Sequence, residues 1–534
     1  MMNYPLTLKS ILERAKMLYS KKELVSRDYS GTFRYDYGRF YERVCRLANV
    51  LEDLGVNRGA RVATLAWNTH RHLELYFAIP CLGAVLHTLN LRLFQDQLIY
   101  IINHAEDTII FVDRDLLPLL EAVKDKLKTV KGFVIMTDSQ ELPDTSLSPV
   151  YSYEQMLAEA SPQYNFPSDL DEWSTAAMCY TTATTGEPKG VAYTHRGIFL
   201  HCFSCLSADM MGLSERDTVM AVVPMFHANA WGMPYTAAWI GAKQVFPGAR
   251  PDPKILCQLI QDEKVTVTAG VPTIWMGILE VFEKQAYDFS SVKSFICGGS
   301  AVPLSLMKAF DEKLGIPILH AYGMTETTPL VTLSRTKSYM DQWTVEEQYR
   351  VRVKQGLVAP GLEIKIIGEN GEDLPHDGKI MGELIVRGPW IAGEYYKNPQ
   401  KSAECMKGGW LHTNDIATID DEGYIAICDR TKDLIKSGGE WISSVDLENT
   451  IMAHPGVAEA AVIAMPHEKW DERPMACVVP RPEFRESLGE EDILNFLDGK
   501  VAKWMMPDRV LFIEEIPKTS VGKFNKKELR QKYL

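Results

Sequence analysis

The chain has 534 residues, 46% hydrophobic and 24% charged, and its 57 basic and 70 acidic residues leave a net charge of −13. At ~150 residues per domain this length calls for two to four domains, and the composition excludes wholesale disorder. The negative balance argues against a general coating of nucleic acid, so no nucleic-acid partner is expected.

No run approaches the ~20 apolar residues of a membrane helix. The opening Met1-Met2-Asn3-Tyr4-Pro5-Leu6 lacks a basic stretch followed by an apolar block, so no secretory signal is expected. Ten cysteines are too few and too scattered for a disulfide scaffold. A soluble protein of the reducing cytoplasm is the expectation.

Apolar residues at helical spacing predict a helix over 39–55, stopped by Gly55. A short buried strand follows at 61–66, helix resumes at 73–82, and 108–113 and 132–136 read as two further strands. The Pro-, Ser- and Asp-rich stretch 138–169 reads as a surface loop. A predicted helix over 197–211 carries Cys202 and Cys205 on one face. A zinc site would need a second ligand pair nearby and none is present, so both cysteines are expected to be buried and structural. Strand and helix alternate again through 219–223, 264–269 and 294–297. This alternation predicts a mostly parallel sheet covered by helices. From about 358 the pattern changes to short strands with Gly-rich turns, at 363–367, 382–387 and 423–428. A last unit from about 432 has its own alternation and ends in a basic stretch with Lys518, Lys523, Lys526, Lys527 and Arg530. The expected fold is multidomain α/β: a large N-terminal domain, 1–431, whose segment 358–431 is a β-rich subdomain, and a small α+β C-terminal domain, 432–534.

Four clusters could carry chemistry. After the apolar run 176–179 comes Tyr180-Thr181-Thr182-Ala183-Thr184-Thr185-Gly186-Glu187-Pro188-Lys189-Gly190. Its hydroxyls, glycines and lysine suit a polyphosphate. The Gly-Lys-Ser/Thr ending of a Walker loop is missing, and a Thr-rich surface turn is the alternative. In His320-Ala321-Tyr322-Gly323-Met324-Thr325-Glu326-Thr327 a tyrosine could stack on a base and a glutamate could hold Mg²⁺ through oxygen. Asp415, in Gly409-Trp410-Leu411-His412-Thr413-Asn414-Asp415, could accept both protons of a vicinal diol; Asp429-Arg430-Thr431-Lys432-Asp433 follows it. The fourth, Pro517-Lys518-Thr519-Ser520-Val521-Gly522-Lys523, would by itself be a solubilising basic tail. Taken singly, each is as readily an ordinary turn.

In this order and at these separations the four clusters resemble the adenylate-forming, AMP-binding superfamily: acyl-CoA synthetases, firefly luciferase and the adenylation domains of peptide synthetases. The resemblance runs from about Thr7 to Leu534. It implies an acid–thiol ligase that uses ATP, Mg²⁺ and coenzyme A. A carboxylate attacks the α-phosphate of ATP to give acyl-AMP and pyrophosphate, and a thiol then takes the acyl group. Carried over by position, Thr181, Thr182, Thr184, Thr185, Gly186 and Lys189 would hold the phosphates. Gly299, Ser300, Ala301, His320, Ala321, Tyr322 and Gly323 would surround the adenine. Thr325 would contact the α-phosphate, Thr184 and Glu326 the Mg²⁺, and Asp415 with Arg430 the ribose. Lys523 would be the catalytic lysine and Lys432 the hinge of a mobile C-terminal domain. Gly438, Gly439, Glu440 and Trp441 would line the pantetheine tunnel of CoA. His227, Trp231, Gly298, Gly299 and Met324 would border the acyl pocket, with His227 at the gate to the carboxylate. Trp231 would favour short to medium chains, with plain core packing as its alternative.

Within the superfamily the chain resembles medium-chain fatty-acid and methylmercaptopropionate CoA ligases. It departs from the usual Thr-Ser-Gly-Thr-Thr-Gly loop, carrying Thr182 and Ala183 where Ser and Gly are usual. If that glycine has positive φ, alanine costs ~1 kcal/mol and stiffens the loop. Two other functions are consistent with the motifs: loading of a carrier-protein thiol, and a catalytically weak binding relative. The absence of Asp in 226–231 speaks against amino-acid activation. Expected partners are the carboxylic acid, ATP and CoA, with a homodimer left open.

Overall fold

The computed structural model describes residues 2–181, 187–438, 440–518 and 524–534. Its architecture is mixed α/β, as expected. A seven-stranded sheet runs in the order Val150–Ser152, Gly132–Met136, Asp107–Asp113, Arg61–Leu65, Val85–Thr88, Thr175–Tyr180, Gly190–Thr194. Its pairings are parallel except the last, Thr175–Tyr180 with Gly190–Thr194, which is antiparallel. A nine-stranded sheet has a parallel centre built from Thr218–Ala221, Val267–Gly270, Ser294–Gly298 and Ile318–Gly323. The strands of both centres are apolar runs buried on both faces, which is what covering helices on each side require.

Between the sheets lies His70–Leu82, a helix with every side chain buried. Burying Arg71 and Glu74 there would be costly without partners. Arg71 pairs with Asp28 and Glu154, each at 2.8 Å, and Glu74 with Arg43 at 2.8 Å and with the Tyr153 hydroxyl at 2.6 Å. The predicted helix near 39–55 is Tyr37–Asp53, opened by Asp36, whose carboxylate accepts from the Arg39 amide; Phe40, Val44, Leu47, Ala48 and Leu51 form its apolar face.

The stretch read as a surface loop over 138–169 contains the strand Val150–Ser152 and the helix Tyr153–Glu159. Three and seven residues are too short for a periodicity to stand out, and tertiary contacts through buried Tyr153 and Leu157 decide the conformation. The helix expected over 197–211 is His195–Cys205, capped by Thr194, whose hydroxyl accepts from the Gly197 amide. It stops six residues early because the chain turns back, the Ser207 and Met210 amides donating to the Ser204 and Ser207 carbonyls. Cys202 and Cys205 are buried, as expected.

An antiparallel sheet of Glu363–Ile367, Gly382–Arg387, Trp410–Ile419 and Met406–Lys407, with Ile425–Arg430 paired to Trp410–Ile419, shares its core with the large unit. Beyond it a sheet of Glu440–Ile442, Ile435–Ser437, Asp471–Pro480 and Val457–His467 is joined by Arg509–Phe512. The apolar residues from Ile435 onward form two clusters of their own. Among the described residues no helix is long and apolar enough to cross a membrane.

Candidate active site

A cavity of about 1540 Å³ opens where the parallel strands of the nine-stranded sheet end. Ligands of open α/β sheets characteristically bind outside the carboxyl ends of the strands. Ser294–Gly298 leads into Gly299, Ser300 and Ala301, and Ile318–Gly323 delivers His320, Ala321, Tyr322 and Gly323, then Met324, Thr325 and Glu326. All of these line the cavity, together with Gly298. Glycine is required at two of the positions by close approach. A Cβ on Gly323 would fall 2.0 Å from the Pro329 carbonyl oxygen, and one on Gly298 would fall 2.7 Å from that of Ala321.

Beside these, the antiparallel sheet places Asp415 directly across from Arg430. The Tyr322 hydroxyl donates to Asp415 Oδ2 at 2.6 Å, and Arg430 Nε lies 3.4 Å from Oδ1. Burial and the neighbouring carboxylate push the Tyr322 phenol far above its ordinary range, so it remains a donor. Asp415 is 5% exposed yet charge-paired, and its own amide is held by Thr413 Oγ1 at 3.1 Å. His320 is buried; its Nδ1 lies 2.9 Å from the Val353 carbonyl, and burial lowers its pKa to about 4, which keeps the ring neutral.

Thr325 and Glu326 sit on a single turn fixed from both sides. The Tyr193 hydroxyl donates to the Thr325 carbonyl at 2.8 Å, the Ala392 amide to the Glu326 carbonyl at 2.8 Å, and the Tyr395 hydroxyl to Glu326 Oε1 at 2.6 Å. Among the described residues no group of three His, Cys, Asp or Glu could cage a metal. The Glu326 carboxylate on the cavity wall fits Mg²⁺, which is commonly held by one or two carboxylates plus substrate phosphates. The two described ends of the Thr-rich loop are pinned together: the Thr181 amide donates to the Lys189 carbonyl at 2.9 Å, and the Lys189 amide to Thr181 Oγ1 at 3.2 Å. Both residues line the cavity. Thr182, Ala183, Thr184, Thr185 and Gly186 lie outside the described residues, as do Gly439, Lys523 and the side chain of Glu440.

His227 and Trp231 line the same cavity. The backbone that presents them was not foreseeable. Ala228, Asn229, Ala230, Trp231 and Gly232 have φ of 44, 51, 47, 58 and 73°, a left-handed turn in which four residues are not glycine. The Trp231 ring approaches Gly298, reaching within 3.1 Å of where a Cβ would stand, and is 9% exposed. It belongs to the large apolar core and to the cavity wall at once. Apolar side chains of Val222, Leu256, Val271, Ile274 and Met276 line the same cavity.

Lys432 also reaches the cavity, with burial and the Arg430, Arg530 and Lys527 charges lowering its pKa against Asp433. Phe524, Asn525, Lys526 and Lys527 line the wall nearby, whereas Gly438 and Trp441 do not. Asp429, on the last strand of the antiparallel sheet, accepts from the Ser444 amide at 2.9 Å and from its hydroxyl. Lys526 pairs with Glu448 at 2.7 Å. Tyr193, Tyr395, Asp429 and Lys526 were not singled out from sequence for the site. They sit 15 to 132 residues from the groups they bond, and isolated tyrosines, acids or lysines carry no local signal.

Residues 12–396 match the family described as AMP-binding enzyme, and residues 446–523 match the AMP-binding enzyme C-terminal domain. A long-chain-fatty-acid–CoA ligase of Thermus thermophilus is 47% identical over 535 residues, covering 100% of this chain and 96% of that one. A 3-methylmercaptopropionyl-CoA ligase of Ruegeria lacuscaerulensis is 42% identical over 534 residues, covering 100% and 98%. The crystal structure of ATP-bound MatB from Rhodopseudomonas palustris superposes with a TM-score of 0.83 at 26% identity over 99% of each chain. A cavity walled by the second and third clusters, with both family regions matched in order, has one reading: the chain belongs to the AMP-binding enzymes.

Proposed function

We propose that the protein is an AMP-forming acyl-CoA synthetase for a short- to medium-chain carboxylic acid. The observation that carries this reading is the convergence, on one cavity, of Tyr322, Asp415, Arg430, Glu326, Lys189 and the segment 524–527, with Trp231 and the apolar Val222, Leu256, Ile274 and Met276 on the same lining. Adenine stacks on Tyr322, the ribose hydroxyls donate to Asp415, and the phosphates lie along 181–189. The carboxylate arrives ionised, so no general base is needed. Its oxygen bonds to the α-phosphorus while the bond to the departing pyrophosphate breaks. Mg²⁺, held by Glu326 and the nucleotide, would neutralise the charge gathering on the phosphates. Lys523 is the ammonium presented to the same charge; its neighbours 524–527 already border the cavity. CoA sulfur then attacks the acyl carbonyl and AMP leaves.

Because Gly438 and Trp441 lie off the cavity wall, the second half-reaction requires 432–534 to turn as a domain about Lys432, away from 1–431. The separate apolar clusters beyond Ile435 support that division. Turning would break the contact of Asp429 with Ser444. Ten cysteines, all free thiols, suit a reducing cytoplasm. The test is a screen of acids from two to sixteen carbons, plus aryl acids, for AMP release. Release that requires both an acid and CoA supports the reading. Release or exchange indifferent to CoA, with every acid tried, refutes it.

A further inference from the structure

Tyr395 occupies a place that the site residues named above leave unexplained. Its ring is 4% exposed and stands between two charged groups of the cavity wall. The hydroxyl donates to Glu326 Oε1 at 2.6 Å, and the Lys189 ammonium lies over the ring face, 4.6 Å from its centroid. The backbone leaves the ring little room to shift. Tyr395 forms an antiparallel bridge with Val191, the Tyr396 amide donates to the Gly190 carbonyl at 2.8 Å, and the Tyr395 amide donates to Ser402 Oγ at 2.8 Å. Ser402 Oγ in turn donates to the Asn398 carbonyl at 2.7 Å. Tyr395 is therefore stitched to the strand that leaves the Thr-rich loop, while its hydroxyl reaches the turn that carries Glu326.

An ammonium and a carboxylate facing the same cavity attract each other, and a direct pair would turn both away from an incoming polyphosphate. The aromatic ring offers each a weaker partner: its face for the cation, its hydroxyl for the anion. Neither contact uses up the group's capacity for further ligands, since an ammonium has three donors and a carboxylate about four acceptor sites. We propose that Tyr395 is a positioning residue that holds Glu326 and Lys189 apart and oriented toward the phosphates and their Mg²⁺. This rests on the phosphate and metal roles given to Lys189 and Glu326 under the proposed function.

The test uses the full chain and two variants. Tyr395→Phe keeps the ring face and removes the hydroxyl; Tyr395→Leu keeps apolar bulk and removes both contacts. Calorimetry of α,β-methylene-ATP is run with and without Mg²⁺, alongside pyrophosphate release and thioester formation from supplied acyl-AMP. In Tyr395→Phe the affinity gained on adding Mg²⁺ should shrink about tenfold, the effect of losing a hydrogen bond to a charged group. Its metal-free affinity should stay near wild type. Tyr395→Leu should also lose about threefold to tenfold of metal-free affinity, through Lys189. Both should retain thioester formation from acyl-AMP. An undiminished Mg²⁺ gain in Tyr395→Phe overturns the inference while leaving the proposed function standing. Equal loss in both half-reactions with a lowered melting temperature overturns it in favour of a packing role. A wild-type chain that does not bind the analogue at all overturns the functional reading, and this inference with it.

Discussion

Trp231→Ala should move the accepted chain length upward and reverse the enzyme's preference between short and long acids. The indole lines the cavity beside Gly298 and is nearly buried, and the apolar Val222, Leu256, Val271, Ile274 and Met276 line the same cavity. Removing it from a sealed core would cost about 3–5 kcal/mol; with the cavity on one side, the loss falls at or below the lower end. Each methylene of a longer acid that fills the vacated space recovers about 0.8 kcal/mol, which is a factor of about four in kcat/KM. An acid longer by three methylenes should therefore gain about 60-fold relative to the short one. The left-handed backbone adds a control. Trp231→Gly removes the same ring and relieves positive-φ strain of about 1 kcal/mol, so it should show the same chain-length shift with a higher melting temperature. The assay is kcat/KM by AMP release for straight-chain acids from four to sixteen carbons, with thermal denaturation in parallel. A melting temperature that falls while the chain-length profile keeps its shape would refute the reasoning and assign Trp231 to the core alone.

Lys523→Ala should abolish pyrophosphate release yet spare thioester formation from supplied acyl-AMP; equal loss in both halves would remove the lysine from the first step. Lys432→Pro fixes φ near −65° and should hold the arrangement in which 524–527 border the cavity. Pyrophosphate release would then persist while CoA consumption falls by orders of magnitude, and normal CoA turnover would show that no swing at 432 is needed. Asp113 supplies a pH test. Burial first, with Asp115 and Asp28 adding to it against the Trp67 amide and Arg71, raises its pKa to about 7 from 3.8. A carboxyl whose folded pKa is raised stabilises the fold below its unfolded pKa and loses that contribution as pH climbs. Wild type should therefore lose about 3 kcal/mol between pH 4 and 7 relative to Asp113→Asn, measured by urea unfolding at each pH. Parallel stability curves for the two proteins would contradict it.

Much of this molecule is written locally. The buried strands at 61–65, 132–136 and 294–298 are short and mostly apolar, and the stripe of Phe40, Val44, Leu47 and Leu51 repeats at the helical period. Short-range rules read such patterns without help, and the order of the four clusters was enough to mark the family. The sites where chemistry is proposed obey no such period. Asp415 meets Arg430 because two antiparallel strands pair in that register, shifted between Ile416 and Ala417, and Tyr322 meets Asp415 across 93 residues of chain. Tyr395 reaches Lys189 and Glu326 only because its backbone bridges to Val191. The left-handed turn at 228–232 opposes the local preference of Ala228, Ala230 and Trp231, with Asn229 tolerating it, and packing against the core around Gly298 holds it there. Local sequence fixes which torsions and which face an element prefers, because those energies act within a few residues. Which side chains face one another across a cavity depends on strand register and on the packing of separate elements, and those are set only when the whole chain has folded.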